Sequence, residues 1–304
     1  MSVARLALIG SGRMGSTHAR ALESGLDGVE LAALVEPSDE AAARTRIPRR
    51  YRDVGELLAA GGVDGAIVAA PTRLHATLVT QLLDAGLPVL CEKPCGLRSD
   101  ETRALARRAA EAELPLHVGY WRRFVPALRE LQAELTAGAF GEVEYVSCVQ
   151  WDESPPPPAF RDPASSGGIL VDMGVHEFDQ LRWLTGQEPE AVGGLASQAE
   201  VAGDPDGVAV ALRLAGGPLA TVSLLRRHPP GDICRVEVVG SQKVVRLDFL
   251  APGDEQHVFL SALRAQAADF AAALQGTASR GASPSDAVRA LEIAELAASA
   301  LPRP

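Results

Sequence analysis

Three polar side chains in the second half of the chain have the types and the spacing of a site that moves protons. Asp172, His176 and Asp179 stand at positions i, i+4 and i+7, which in a helix places them on one stripe. Such a stripe in a mostly apolar helix needs partners or a cavity, because uncompensated buried charge is costly. Two interpretations fit: a structural pair in which Asp172 holds His176, or a general base that a carboxylate tunes near neutral pH.

A glycine motif near the N-terminus indicates a different chemistry, the binding of a dinucleotide. The pattern G-x-G-x-x-G is formed by Gly10, Ser11, Gly12, Arg13, Met14 and Gly15. It follows an apolar run and opens a predicted helix, which is the context in which the pattern is specific. Its glycines allow a tight turn, close approach of a pyrophosphate and close helix–strand packing, with the anion at the helix N-terminus.

One acidic residue indicates which dinucleotide is bound. Glu36 stands about twenty residues beyond the motif, where a carboxylate accepts hydrogen bonds from the adenosine ribose hydroxyls and repels a 2′-phosphate. NAD is therefore favoured over NADP. Four nearby bases leave a minority case for NADP: Arg44, Arg46, Arg49 and Arg50.

Two further groups follow predicted strands, at the sheet edge where open α/β folds bind ligands. Pro71, Thr72 and His75 follow one strand; Thr72 could hydrogen-bond the cofactor, and His75 either orients the next helix or lies on the surface. Glu92 and Lys93 follow the next strand. A lysine before a proline is held extended, so its ammonium emerges at the same edge, although a lysine on a solvated turn is the usual expectation.

The elements that position these residues change character near residue 119. Residues 1–118 alternate short apolar runs with helical segments, which predicts an α/β Rossmann domain with a doubly wound parallel sheet that binds NAD(P). Residues 119–304 contain consecutive strand-like stretches, the first at 191–201, with tight turns between them. This pattern predicts an α+β domain with an open, largely antiparallel mixed sheet.

Composition narrows the function class. Among 304 residues, 39 acids against 29 bases give a net charge of −10, which disfavours nucleic acid and anionic lipid as partners because the bases are scattered. No apolar run approaches the ~20 residues of a membrane helix. Four cysteines are few for this length and are expected to be reduced core thiols, not disulfides or metal ligands. We therefore expect a cytoplasmic protein.

Together the motifs resemble those of the glucose-fructose oxidoreductase, inositol dehydrogenase and rhizopine-catabolism (Gfo/Idh/MocA) family. The resemblance covers essentially the whole chain. The residues that carry it are the glycine motif, Pro71-Thr72-x2-His75, Glu92-Lys93-Pro94, Tyr120-Trp121-Arg122-Arg123-Phe124 and Gly167-Gly168-x3-Asp172-x3-His176-x2-Asp179. The Glu-Lys-Pro and Asp-x3-His motifs in this order are more specific than the glycine motif.

The resemblance implies a nicotinamide-dependent dehydrogenase of a sugar or cyclic polyol, with inositol-like substrates first. It implies that Lys93, often followed by a cis proline, contacts cofactor and substrate, and that Asp172, His176 and Asp179 contact substrate. It also implies that Trp121 and Arg122 lie near the nicotinamide. Residues 119–304 would bind substrate and support a homodimer or homotetramer. In addition, we expect Trp151 to shape the substrate pocket.

The predicted chemistry is the removal of hydride from a carbinol carbon as its hydroxyl loses a proton, which needs a base. His176 is the predicted base, Asp172 orients it and stabilises the imidazolium, and Lys93 stabilises the alkoxide; no metal is required. Two alternatives stay open. One is a keto-sugar reductase or redox-neutral sugar-modifying enzyme of secondary metabolism, and the other is a non-catalytic NAD-sensing regulator.

Overall fold

The computed structural model describes residues 3–197, 204–250 and 253–301. These residues form two compact units. The first contains the described residues up to Phe124 together with Phe259–Val288; the second contains Val125–Val258 and the described residues from Arg289 onward. Each unit is built on its own six-stranded sheet.

The sheet of the first unit is entirely parallel. Its strands are β1 Ala4–Ile9, β2 Val29–Val35, β3 Arg50–Tyr51, β4 Gly65–Val68, β5 Val89–Cys91 and β6 Leu116–Val118. Their order is β3-β2-β1-β4-β5-β6. All four residues of β4 are buried, as expected where helices cover both faces. The predicted doubly wound Rossmann sheet is confirmed, and the two-residue β3 is a strand that the apolar pattern did not predict.

The helices of the chain vary from one turn to five. They are α1 Arg13–Leu22, α2 Asp39–Ala42, α3 Val54–Ala60, α4 His75–Asp84, α5 Ser99–Glu111, α6 Pro126–Thr136, α7 Pro158–Arg161, α8 Pro163–Ser166, α9 Val175–Thr185, α10 Glu255–Ala273 and α11 Pro284–Ala300. Short 3-10 turns at Thr72–Leu74 and Trp121–Phe124 follow β4 and β6, and a π-helical turn at Leu170–Gly174 precedes α9.

The sheet of the second unit is mixed. Its strands are β7 Val143–Trp151, β8 Pro189–Ala196, β9 Gly207–Leu214, β10 Leu219–Leu225, β11 Ile233–Gly240 and β12 Val244–Leu250, in the order β12-β11-β7-β10-β9-β8. Only the β7–β10 pair is parallel among these strands, so the predicted open, largely antiparallel mixed sheet is confirmed. The end of the strand predicted at 191–201 lies outside the described residues.

The first unit is not one stretch of chain, because it contains Phe259–Val288 as well as the described residues up to Phe124. The domain boundary expected near Gly119 stays a prediction. Much of α10 belongs to the first unit, where Phe270 joins the core formed by Leu6, Leu8 and Ile67. The Phe270 ring would lie 3.3 Å from a β-carbon on Gly65. An apolar helix pattern shows that one face is buried but not which sheet covers it, so this assignment required the structure.

Candidate active site

The glycine motif forms the turn between β1 and α1, and its three glycines serve different purposes. Gly10 has φ +92°, and a β-carbon there would lie 2.9 Å from the Ala70 α-carbon. A β-carbon on Gly15 would lie 2.0 Å from the Gly10 carbonyl oxygen. Gly12, by contrast, meets nothing within 4 Å. The fold therefore requires Gly10 and Gly15, whereas the space at Gly12 fits a pyrophosphate that approaches the backbone.

The start of α1 suits an anion in a second way. Its N-cap position is Gly12, and no side chain caps the first turn, so backbone N–H groups of this turn are available to a phosphate. Of the other motif residues, Ser11 is buried, Arg13 is exposed and Met14 packs against the core. The loop therefore fits the pyrophosphate of a dinucleotide.

Glu36 lies at the end of β2, as predicted, and its carboxylate is already engaged with the backbone. One oxygen accepts the Ser11 N–H over 2.8 Å, and the other accepts the Ser38 N–H over 2.9 Å. The Ser11 hydroxyl donates to the same carboxylate over 3.2 Å. Glu36 therefore holds the glycine loop in place. A carboxylate has about four acceptor sites, so these contacts leave capacity for ribose hydroxyls. The contact of Glu36 with ribose stays a prediction.

The four arginines that favoured NADP have partners in the structure. Arg50 lies 2.5 Å from Asp39 and also donates to the Glu36 carbonyl. The other contacts are Arg44 with Glu40, Arg46 with Glu23, and Arg49 with Tyr51 and Gly61. These contacts, like the carboxylate of Glu36, favour NAD.

His75 links two loops at the carboxyl edge of the parallel sheet. Its Nδ1 lies 2.8 Å from the Pro94 carbonyl oxygen and its Nε2 lies 2.8 Å from the Ala70 carbonyl oxygen. The side chain is 1% exposed, so the alternative of a surface histidine is wrong: two backbone acceptors hold the ring inside. Pro71 is exposed and Thr72 half-buried in the turn before it, so both are open to a ligand at this edge.

Burial and hydrogen bonding act in opposite directions on the pKa of His75. Burial lowers the pKa of His75 below its ordinary value, although hydrogen bonds to the Pro94 and Ala70 carbonyls act in the opposite direction. A neutral imidazole donates from only one nitrogen, so only one of the two carbonyls can then receive a proton from it. The two carbonyl acceptors suit a protonated ring, which donates from both nitrogens, whereas burial disfavours its positive charge.

Lys93 follows β5, and its peptide bond to Pro94 is cis, as the resemblance implied. The backbone N–H of Lys93 donates to the Glu92 carboxylate over 3.2 Å. Lys93 is half-buried and so does not lie on a fully solvated turn. Its role in binding cofactor and substrate stays a prediction.

A buried histidine that sequence reasoning missed lies beside this segment. His18 Nε2 is 2.7 Å from Glu92 Oε1, and the two side chains are 1% and 6% exposed. His18 stands in α1, three residues after Gly15, so the pair connects the glycine loop to the Glu92-Lys93 segment. In the sequence, the only indication of this pair was that His18 is a polar residue on the core face of an amphipathic helix.

Trp121 and Arg122 lie in the 3-10 turn after β6 and are 7% and 2% exposed. The Trp121 ring contacts Phe259 edge-on with centroids 4.8 Å apart, and the Arg122 guanidinium lies 5.9 Å from the Trp121 ring centroid. These contacts fix the two side chains within the first unit. Their approach to the nicotinamide stays a prediction.

In the second unit, the segment with the three candidate substrate residues is not one regular helix. Asp172 lies in the π-helical turn Leu170–Gly174, whereas His176 and Asp179 lie in α9. The stripe predicted from i, i+4, i+7 spacing therefore crosses from a π-turn into an α-helix, and the common face of the three side chains stays a prediction. π-turns often occur at functional sites.

The helix α9 is buried to an unusual degree. All residues from Val175 to Leu181 are buried, and they include His176 at 7% and Asp179 at 2% exposure. Two polar side chains that sequence reasoning did not select, Glu177 and Gln180, are buried as well. Several buried ionisable groups on one helix are costly, which makes this helix a candidate functional element.

Trp151 is a candidate substrate residue that lies on the opposite face of the second sheet from α9. Its indole N–H donates to the Ser223 hydroxyl over 3.0 Å, on the sheet face shared with Ser147. On the opposite face, Cys148 is buried and accepts from Gln180 of α9 at 3.6 Å. Because side chains alternate along a strand, Trp151 points away from the face that α9 covers.

The remaining predictions concern cysteines, metals and membranes. All four cysteines are buried thiols, and burial raises the pKa of the Cys91 thiol well above its ordinary value, which disfavours the thiolate. Across residues 3–197, 204–250 and 253–301, no cluster of three metal-ligating side chains occurs. Within the same ranges, no helix has the length and apolar character needed to cross a membrane.

Comparison with known proteins identifies the chain. Residues 4–120 match an oxidoreductase family with an NAD-binding Rossmann fold, and residues 128–246 match the GFO/IDH/MocA C-terminal domain. The fold and site thus define an NAD-binding oxidoreductase, which confirms the predicted cofactor. The chain belongs to the Gfo/Idh/MocA family, as its motifs indicated.

Named relatives agree with this assignment. The chain is 46% identical to the rhizopine catabolism protein MocA of Rhizobium meliloti over 308 residues, covering 98% of this chain and 95% of that protein. It is 35% identical to an inositol 2-dehydrogenase of Rhizobium meliloti strain 1021, covering 82% and 76%. The crystal structure of GenD2 from gentamicin A biosynthesis in complex with NAD has a TM-score of 0.87 and 25% identity, covering 99% and 94%.

Proposed function

We propose that the protein is an NAD-dependent dehydrogenase that oxidises a secondary alcohol of an inositol-like cyclic polyol. The observation that carries the proposal is the placement of His176, 7% exposed at the start of α9, directly after the π-turn that contains Asp172. A histidine and a carboxylate so placed provide a base and a group that stabilises its charged form. The relatedness to an inositol 2-dehydrogenase over 82% of this chain supports the same substrate class.

The roles of the residues follow from the chemistry of an alcohol. His176 accepts the hydroxyl proton, and Asp172 stabilises the imidazolium that results. The Lys93 ammonium stabilises the negative charge that develops on the oxygen, while Asp179 binds a further substrate hydroxyl. When bound, NAD supplies the nicotinamide ring that accepts the hydride from the carbinol carbon. In the reverse direction His176 returns its proton to the carbonyl oxygen.

The cofactor side of the proposal rests on the first unit. The turn at Gly12 and the uncapped start of α1 receive the pyrophosphate, and Glu36 receives the ribose. Pro71, Thr72 and His75 border the same sheet edge, as do Glu92, Trp121 and Arg122. We propose these residues as the NAD site.

The proposal is tested by a fluorescence titration with NADH and NADPH, followed by an absorbance screen of inositols, hexoses and their keto forms. We expect tighter binding of NADH and turnover of at least one inositol with NAD. Reduction of keto-sugars alone would replace the proposal with a keto-sugar reductase. Binding of NADH without any turnover would favour a nucleotide-sensing regulator and would contradict the enzyme.

We further propose that the open face of the second sheet joins copies of the chain. Leu219 and Val244 are 57% and 59% exposed, and both lie on the register line through Tyr145 and Val239, so they share a face. Exposed apolar side chains in a row are typical of association surfaces. Light scattering should report a homodimer or homotetramer, and a monomer would refute this part.

A further inference from the structure

A buried ion pair holds the start of the segment that contains Asp172. Arg226 directly follows β10, its side chain is 0% exposed, and its guanidinium contacts the Asp204 carboxylate, whose side chain is 6% exposed. Both oxygens of Asp204 lie 3.1 Å from the Ile169 backbone nitrogen and accept its hydrogen. No motif pointed to either residue, because they are distant in sequence from the segment that they hold.

The glycine before Ile169 is required by this contact. Gly168 has φ +77°, and a β-carbon there would lie 2.6 Å from Asp204 Oδ1. The Gly168 carbonyl accepts the Asp172 N–H over 2.7 Å. The position of Asp172 is thus set by a peptide that Asp204 holds on its other side.

Asp204 acts on the π-turn as a helix cap supplied by a distant part of the chain. Ile169 is the N-cap residue of the turn, which has no side-chain cap of its own. A carboxylate at this end accepts from an N–H that the turn leaves unpaired. The positive end of the helix dipole also stabilises its negative charge.

Stability does not explain why the pair is ionic. A buried ion pair replaced by apolar side chains of similar volume often leaves stability unchanged or raised. In addition, Arg226 Nε and Nη2 are buried without a hydrogen-bond partner among the described residues, which adds a desolvation cost. The acceptor oxygens that Asp204 places against the Ile169 N–H, with Arg226 orienting them, are the better explanation.

We propose that Asp204 and Arg226 are a positioning pair: they hold the Gly168–Ile169 peptide and thereby place Asp172 for its work with His176. The Arg226 guanidinium favours the ionised form of Asp204 and orients it, and Asp204 holds the turn. The inference rests on the proposed function, since it assigns the pair to the same site.

The environment of the Asp204 carboxylate includes both neighbouring charges and the Ile169 peptide. Burial is the main cause that raises the pKa of Asp204, and the nearby charge of Asp172 acts in the same direction. Ile169 and Arg226 oppose it. Asp172 is the smallest of these influences on Asp204, and the placement of Asp172 rests on the Gly168–Ile169 peptide.

Two neutral double variants test the proposal. Asp204→Asn with Arg226→Met keeps an oxygen that can accept the Ile169 N–H, whereas Asp204→Ala with Arg226→Met removes it. Both avoid an uncompensated buried charge, so we expect both to fold. We expect kcat to fall about 10–100-fold in the Ala/Met chain, since small misplacements of catalytic groups have effects of this size, and only a few-fold in the Asn/Met chain. The KM for NAD should not change in either.

A matched control uses another ion pair of the second unit. Arg182 and Glu188 lie 2.5 Å apart at the other end of α9, where Glu188 also contacts Arg289. Arg182→Met with Glu188→Gln removes both charges of the pair and keeps an oxygen that can accept from Arg289. At an equal loss of Tm, this control should keep kcat within about twofold. An equal fall of kcat in the control, or equal kcat in the Asn/Met and Ala/Met chains, would overturn the proposal. If the Ala/Met chain does not fold, an unchanged kcat in the Asn/Met chain would overturn it and a several-fold fall would support it.

Hydrogen exchange separates this test from the proposed function. Amides of peptides covering residues 167–174 should exchange at least tenfold faster in the Ala/Met chain than in the Asn/Met chain, with or without substrate. If the wild type turns over no polyol, the proposed function fails, while the exchange rates still decide whether the pair holds the turn. Equal exchange in the two chains would refute the positioning role.

Discussion

His18 Nε2 lies 2.7 Å from Glu92 Oε1 in the interior of the first unit. The contact connects the helix that begins at the glycine loop to the segment in which Lys93 follows β5. The other Glu92 oxygen accepts the Lys93 N–H, so the carboxylate acts as a bridge between the cofactor loop and the candidate catalytic lysine.

Removal of His18 should therefore destabilise the fold and weaken NAD binding. His18→Leu leaves the Glu92 carboxylate buried without this partner, which should reduce the free energy of unfolding by about 2–4 kcal/mol. Urea denaturation measures the loss, and NADH fluorescence measures affinity. Arg44→Ala is the control, since its exposed pair with Glu40 should contribute less than about 1 kcal/mol. Equal midpoints for His18→Leu and wild type would show that the pair does not stabilise the fold.

The three glycines of the loop should separate stability from binding. Gly12→Ala has no atom within 4 Å to meet, so its Tm without ligand should fall far less than that of Gly15→Ala, although Ala is a poorer N-cap residue than Gly. Its methyl group occupies the space for the pyrophosphate, and the Kd for NADH should rise at least about tenfold, or ~1.4 kcal/mol. Gly15→Ala should instead lose stability, because its β-carbon overlaps the Gly10 carbonyl. Unchanged NADH affinity in Gly12→Ala would argue against a pyrophosphate at this turn.

Local patterns were sufficient for much of this fold. The glycine motif, the end of β2 at Glu36 and the loops that follow β4 and β5 could be placed from the sequence, because buried parallel strands read as continuous apolar runs and the motifs stand at their ends. The second sheet was predictable for a similar reason, since alternation and turn residues define an antiparallel meander.

Long-range contacts account for what the sequence did not reveal. The π-turn at Asp172 begins at a peptide held by Asp204, 35 residues away, so no local period encodes it. Single residues such as His18 and Arg226 belong to no motif, and only their buried partners make them conspicuous. The orientation of Trp151 depended on strand register, which the pattern of apolar residues did not determine.

Acid should destabilise the protein partly through His75. Burial lowers its pKa in the folded state below the ordinary 6.5, so the unfolded chain binds more protons as the pH falls below 6.5. Stability should therefore be full above this pH and decrease as the pH falls through the folded pKa. In His75→Gln the free energy of unfolding, measured by urea titration at several pH values, should depend less steeply on pH. His117, whose pKa burial also lowers, should contribute a separate share, so the double variant should be flatter than either single one. An unaltered slope in His75→Gln would exclude His75 as a source of acid sensitivity.

If His176 is the base, its removal should lower turnover without changing NADH affinity, because the proposed NAD site belongs to the other unit. His176→Ala removes the proton acceptor and should lower kcat by about 10²–10⁴-fold, while NADH affinity stays within about twofold, because the residues proposed to bind NAD belong to the first unit. His228 provides a control histidine in the second unit: its ring contacts Trp151, with centroids 5.4 Å apart, on the sheet face opposite to α9. His228→Ala should keep the turnover of wild type. Because a buried histidine can also serve the fold, Tm must be measured beside kcat. A variant His176→Ala that keeps both Tm and turnover would remove His176 from the mechanism, whereas a loss of kcat at unchanged Tm and NADH affinity is the result expected of a base.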